Sequence, residues 1–225
     1  MLGDLNGSFA GKGRRIAHSF ADRGDSWPAA FAAAATNSGH LPGQTIGEGL
    51  IAGTLVATEL GWQPVEDLQP GDRVVTFDSG MRPLKAVNKS VLHSAAEAAP
   101  RQVWPMQVPA GALGNRTAMA LLPGQPVLIE SDAAEALYGD AFPMVPAGVL
   151  EGHNGITRTP PAKECVIVAL EFDEDEVVYA NGMLLVHCGA NRSASTLEAR
   201  FGQTPHQRLT DQQARSLMKA MHHAA

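Results

Sequence analysis

The 225-residue chain reads as an all-β domain. Three observations predict this. Short runs of β-branched and apolar residues recur through residues 48–188, each bounded by Gly, Pro, Asn or Asp. The composition, with 23 Gly and 15 Pro, suits many tight reversals. Asn181-Gly182 stands between two apolar runs, the strongest short-range signal of a β-hairpin. No sustained helical pattern separates the strands, which argues against βαβ units.

The elements follow in order. Residues 1–47 are rich in Gly, Ser, Ala and Asp without sustained periodicity, and are expected to form a flexible leader. Within it, Trp27 to Ala35 has brief helical character, with Pro28 near a first turn. Leu41-Pro42-Gly43 reads as a linker into a domain spanning 48–188. A strand is expected over 50–58, ending at a turn near Gly61. Pro64-Val65-Glu66-Asp67-Leu68 and a Pro70-Gly71 turn follow, and the Asp72 carboxylate is expected to fix that turn through a backbone N–H. Further strands are expected at 73–77, 83–93, 103–108, 126–130, 165–172, 176–180 and 183–188. One helix is inserted at 131–138, where Ser131 can cap Asp132 to Tyr138 and Gly139 can stop it. A second short helical turn is expected from Pro146 to Leu150, ending at Gly152. A two-residue turn at Asn181-Gly182, with positive φ at both, puts Ala180 opposite Met183, Val178 opposite Leu185 and Glu176 opposite His187. Residues 189–225 form a tail. In it, Thr210 caps a helix from Asp211 to about His222, whose Ala214, Leu217, Met218 and Met221 share a face expected to dock on the domain.

Composition bounds the function. The net charge is −6 and no basic stripe appears, which argues against a nucleic-acid surface. No apolar run approaches a membrane span. Arg14-Arg15 is followed by polar residues, so no cleavable signal peptide is read, leaving the cytoplasm or export by a signal-less route. Two cysteines, Cys165 and Cys188, cannot form a disulfide scaffold. His93 and His153 have no second ligand at metal spacing, so neither a metal nor another cofactor is expected. The acidic run Asp173 to Glu176 lacks the oxygen spacing of a calcium loop and reads as a solvated turn.

The most specific segment is Gly53 to Gly71, GTLVATELGWQPVEDLQPG, followed at once by Asp72-Arg73-Val74-Val75-Thr76. It resembles the opening block of the hedgehog/intein, or Hint, family. Val108 to Gly114 and Leu122 to Glu130 are similar to segments of a bacterial branch of that family, and Val145-Pro146-Ala147 and Phe172 to Gly182 also fit. The resemblance covers about residues 48–188. It implies a compact horseshoe of short strands with one inserted helix, and a domain related to self-catalysed protein processing or splicing, acting on its own backbone.

That chemistry needs a Cys or Ser before the first strand, a Thr and His in a middle block that polarise the peptide, and a His-Asn pair at the C-terminal edge. The chain departs at each place. Gly49 falls where the attacker would be, and Leu50, Ile51 and Ala52 offer none. Gln125 or Pro126 stands in place of the middle His. His187 is followed by Cys188, and Asn191 comes three residues late. The expectation is a catalytically degenerate Hint domain. The alternative is a non-catalytic binding or scaffold module of a larger secreted or surface system, with a protein partner. A third reading is a self-cleaver with a relocated nucleophile, Cys188 or Thr54. Cys188 reads either as a buried hydrophobe or as a redox or acyl-transfer thiol. His187 cannot reach its sulfur, since consecutive strand residues face opposite ways. A Glu176–His187 pair either orients a catalytic imidazole or is a solvated pair.

Overall fold

The structure, a computed structural model, describes residues 48–93, 100–160, 164–190 and 206–224. The expected leader over 1–47 and Asn191 lie outside these residues. The strands are β1 (Leu50–Ile51), β2 (Leu55–Thr58), β3 (Gly61–Pro64), β4 (Arg73–Thr76), β5 (Gly80–Pro83), β6 (Ala86–His93) and β7 (Met106–Val108). They continue with β8 (Met119–Leu121), β9 (Pro126–Leu128), β10 (Met144–Pro146), β11 (Thr157–Arg158), β12 (Glu164–Glu171), β13 (Glu176–Ala180) and β14 (Leu184–Cys188). Helix α1 (Asp132–Tyr138) interrupts them and α2 (Asp211–Ala224) follows. The all-β expectation holds.

Two antiparallel sheets share the strands. One runs β11-β7-β8-β1-β12-β6, and the other β10-β9-β14-β13-β2-β4-β5, with β3 on β2. The strand expected at 50–58 breaks in two, and the one expected at 83–93 starts later, at Ala86, after a separate β5 that the sequence pattern missed; each break carries the chain from one sheet to the other. At the first, Gly53 has φ +89° and the Thr54 N–H donates to Ile51 O at 3.0 Å, turning β1 into β2. At the second, Leu84 and Lys85 separate β5 from β6. Strands β3, β8, β10 and β11 are too short to show a period and escape the sequence pattern.

Hydroxyls close the hairpins of the opening block. Thr58 Oγ1 donates to Gly61 O and Thr76 Oγ1 to Gly80 O, both at 2.8 Å. The Gln69 N–H donates to Asp72 Oδ2 at 2.8 Å, the turn role expected of Asp72. Ser131 accepts from the Ala134 N–H, and Gly139 ends α1 in the left-handed region. Ala147–Leu150 forms the second helical turn, as a 3₁₀ turn. Leu50, Val56, Val65, Val74, Val127, Val178 and Val186 lie in the main core.

The tail docks on this body. Leu209, Ala214, Leu217 and Met218 are buried, and the Thr210 hydroxyl accepts from the Gln213 N–H at the start of α2. Ahead of α2 the chain lies parallel to β10. The Met144 N–H donates to Gln207 O, and the Leu209 N–H to Met144 O.

The register of the β13–β14 hairpin differs from the expectation by one residue. Asn181 and Gly182 do have positive φ, +45° and +125°. The turn nonetheless holds three residues, so Ala180 pairs Leu184, Val177 pairs His187 and Glu176 pairs Cys188. Tertiary hydrogen bonds enforce the extra residue. Asn181 Oδ1 accepts from the Leu55 N–H at 2.6 Å, and its Nδ2 donates to Thr117 Oγ1 at 3.0 Å. The Met183 N–H donates to Gly114 O, and the Arg116 N–H to Asn181 O. A Cβ on Gly182 would lie 3.0 Å from both Arg116 N and Gly114 O, so this approach needs glycine.

Candidate functional site

The residues singled out at the two ends of the domain meet through one side chain. The turn Leu122 to Gln125 leads into β9 and carries the Gln125 amide into the interior, where the residue is 1 % exposed. Gln125 Oε1 accepts from the Gly49 N–H at 2.6 Å. Gln125 Nε2 donates to His187 O at 2.8 Å and to Pro126 O at 3.3 Å. The amide therefore reads the Glu48–Gly49 peptide on one side and the end of β14 on the other. Of the two residues the sequence left open for the middle-block position, Gln125 makes these contacts.

Gly49 has φ +136°, and a Cβ there would come within 2.6 Å of Ile167 Cγ2. The place where the resemblance expects an attacking side chain is closed by sterics and by backbone conformation together. Thr54 lies beyond the β1–β2 turn. It is buried, and its carbonyl accepts from the Val65 N–H, so it serves the opening block.

His187 meets a carboxylate, but not the one expected. The one-residue change of register sets Glu176 opposite Cys188, and the neighbour of His187 is Asp175, with Nε2 3.9 Å from Asp175 Oδ2. Asp175 Oδ1 accepts from the Ala190 N–H at 2.7 Å. The His187 side chain is 3 % exposed, and its Nδ1 has no hydrogen-bond partner. Such a buried orphan costs about 1–3 kcal/mol.

Glu176 is buried too, with Oε1 3.3 Å from Arg82 Nε. The acidic run is thus not wholly a solvated turn. Asp173 pairs with Lys85 at the surface, while Asp175 and Glu176 turn inward. On the other side of Cys188, Glu48 accepts a hydrogen bond from Arg208 of the tail. Burial, then Glu48, then Glu176 push the Cys188 thiol up to about 12. The thiol is therefore held in its protonated form at neutral pH. A reactive thiol needs a positive surrounding, and this one is apolar and negative.

Asp175, Glu48, Arg82 and Arg208 are the members of the cluster that sequence reasoning missed. For Asp175 the signal was the hairpin register; for Glu48 and Arg208 there was none, since they meet only after the tail docks. Among the described residues no group of three or more His, Cys, Asp or Glu converges as metal ligands would. No described helix is long and apolar enough to cross a membrane.

Solved structures similar to this chain include an intein-like domain from Clostridium thermocellum, with 14% identity over 62% of this chain and 98% of that one, at a TM-score of 0.45. A splice-inactive variant of the class 3 split intein AceL NrdHF shares 14% identity over 64% and 98%, at 0.39. The gp41-1 intein shares 15% over 62% and 97%, at 0.37. No curated protein matches the chain. The Hint domain model matches residues 49–185, from the glycine bound by Gln125 to the start of β14, and on that match the chain belongs to the Hint domain family.

Proposed function

We propose that this member of a self-processing family is catalytically degenerate, and that its centre works as a structural joint in a non-catalytic scaffold or binding module. The observation that carries the reading is the bond from the Gly49 N–H to Gln125, at a position with no side chain and no room for one. An N–S or N–O acyl shift needs a thiol or hydroxyl on the residue after the scissile carbonyl. Residues 49–52 are Gly, Leu, Ile and Ala, and none can attack. A donor aimed at the carbonyl is worth about 3 kcal/mol, yet it accelerates nothing without an attacker. Cys188 is the only thiol in the cluster, and it stays protonated.

The test is the intact mass of freshly expressed full chain, before and after incubation with dithiothreitol or hydroxylamine. One uncut species is expected in wild type and in Cys188→Ala. A fragment beginning between Glu48 and Gly53, present in wild type and absent from Cys188→Ala, would make Cys188 a relocated nucleophile and sink the proposal.

A further inference from the structure

The C-terminal segment 206–224 is strapped over the point where Glu48 enters the fold. Arg208 donates to the Glu48 carboxylate, the Gln207 N–H donates to Asp140 Oδ2 at 2.9 Å, and His206 Nε2 lies 3.0 Å from Asp78 Oδ2. Within this strap, α2 brings His222 against His153, with ring centroids 5.6 Å apart and planes at 64°. His153 sits in a turn held by positive φ at Gly152, Asn154 and Gly155.

The hydrogen bonds of that turn define the state of the ring. Asn154 Nδ2 donates to Ala112 O at 3.0 Å, which identifies the nitrogen end of the amide. The same nitrogen is 3.1 Å from His153 Nε2. An amide nitrogen donates and does not accept. His153 Nε2 is therefore the acceptor, and the imidazole is neutral.

We propose that the His153–His222 contact makes docking of the 206–224 strap acid-sensitive. Protonating His153 turns its Nε2 into a donor facing the Asn154 amide N–H and sets a cation against the His222 ring. Helix α2 then releases, and Arg208 leaves Glu48 with it.

Burial, and then His222, hold the His153 imidazole below its ordinary value of 6.5. The undocked state then binds the proton more readily, so docking is complete above about pH 6.5 and weakens as the pH falls below it. The other charges near the contact are either paired or exposed. Glu151 accepts from Arg101 and Arg158, and Asp211 pairs with Arg215. Asp132 and Glu135 lie exposed on α1, while β10 and the 147–150 turn carry no charge. Lys219 lies exposed on the turn of α2 before His222. The proposal stands whether or not cleavage chemistry survives.

Hydrogen exchange on the full chain at about pH 7.5 and about pH 5, corrected for intrinsic rates, tests it. Protection of 206–224 is expected to fall several-fold at the lower pH, while the β6–β12 ladder keeps its own. His222→Phe keeps a ring without the charge and should abolish the fall. If that variant does not dock, His153→Phe is read in its place. His206→Asn should leave the fall intact. Equal wild-type protection at both pH values, a fall as steep in the Phe variants as in wild type, or loss of the fall in His206→Asn would each overturn the proposal.

Discussion

The two sides of the central site differ in how completely their polar groups are used. On the Gly49 side every hydrogen-bonding position of the Gln125 amide that the structure shows is matched to a backbone partner, and Ile167 closes the space beside the glycine. On the His187 side a buried imidazole keeps Nδ1 without a partner and stands 3.9 Å from the nearest carboxylate oxygen. The first is a finished joint, the second an ionisable group only half used. On the proposed reading, packing closes one side of the centre while the other keeps a buried histidine.

The comparison breaks first, and hardest, at Gln125. Gln125→Ala strands the Gly49 N–H and His187 O in the interior, and should lower stability by about 4 kcal/mol in urea unfolding. A loss below about 1 kcal/mol would show that the joint is not there. Gln125→His should fall between, because a neutral imidazole has one donor and one acceptor and keeps at most two of the three bonds.

Gly49→Ala comes next, at about 3 kcal/mol, from the positive φ and the approach to Ile167. Adding Ile167→Ala should relieve the steric part of the defect and leave the backbone part. A neutral Gly49→Ala would mean that the attacker's place is open.

Cys188→Ala should cost about 1 kcal/mol, as for a small buried hydrophobe. Its sharper signature is in pH dependence. The folded thiol is raised from 9.0 to about 12, so wild type holds this stability below pH 9 and loses it as the pH climbs toward 12. Cys165 is raised by burial in the same way, so the variant should flatten the alkaline slope without removing it. An unchanged slope between pH 9 and pH 11, followed by urea midpoint, would contradict the thiol's placement.

The smallest effect belongs to the unfinished side. His187→Leu removes the orphaned nitrogen together with its burial cost, and should change stability by less than about 1 kcal/mol. A loss comparable to that of Gln125→Ala would show that Nδ1 has a partner, and the contrast between the two sides would fall.

Much of the frame was legible in the residues. Asp72 in its turn, the Ser131 cap with its Gly139 stop, and the apolar face of α2 each act over a few residues, where dihedral preference and side-chain reach decide the outcome. The same locality explains the absence of an attacker near Gly49, which needs no structure to establish. The site was less legible. Asn181-Gly182 marks a turn and positive φ on its own, but whether the turn holds two residues or three was decided by Leu55, Gly114, Arg116 and Thr117. That single residue moved the partner of His187 from Glu176 to Asp175. Likewise, Gln125 reaches Gly49 across a separation of 76 residues and His187 across 62. Local sequence therefore determined which elements exist and which side chains residues 49–52 can offer, because those follow from short-range sterics and side-chain type. Tertiary structure alone decided register, sheet membership and who faces whom in the centre, because bonds across such separations act only once the chain has closed on itself.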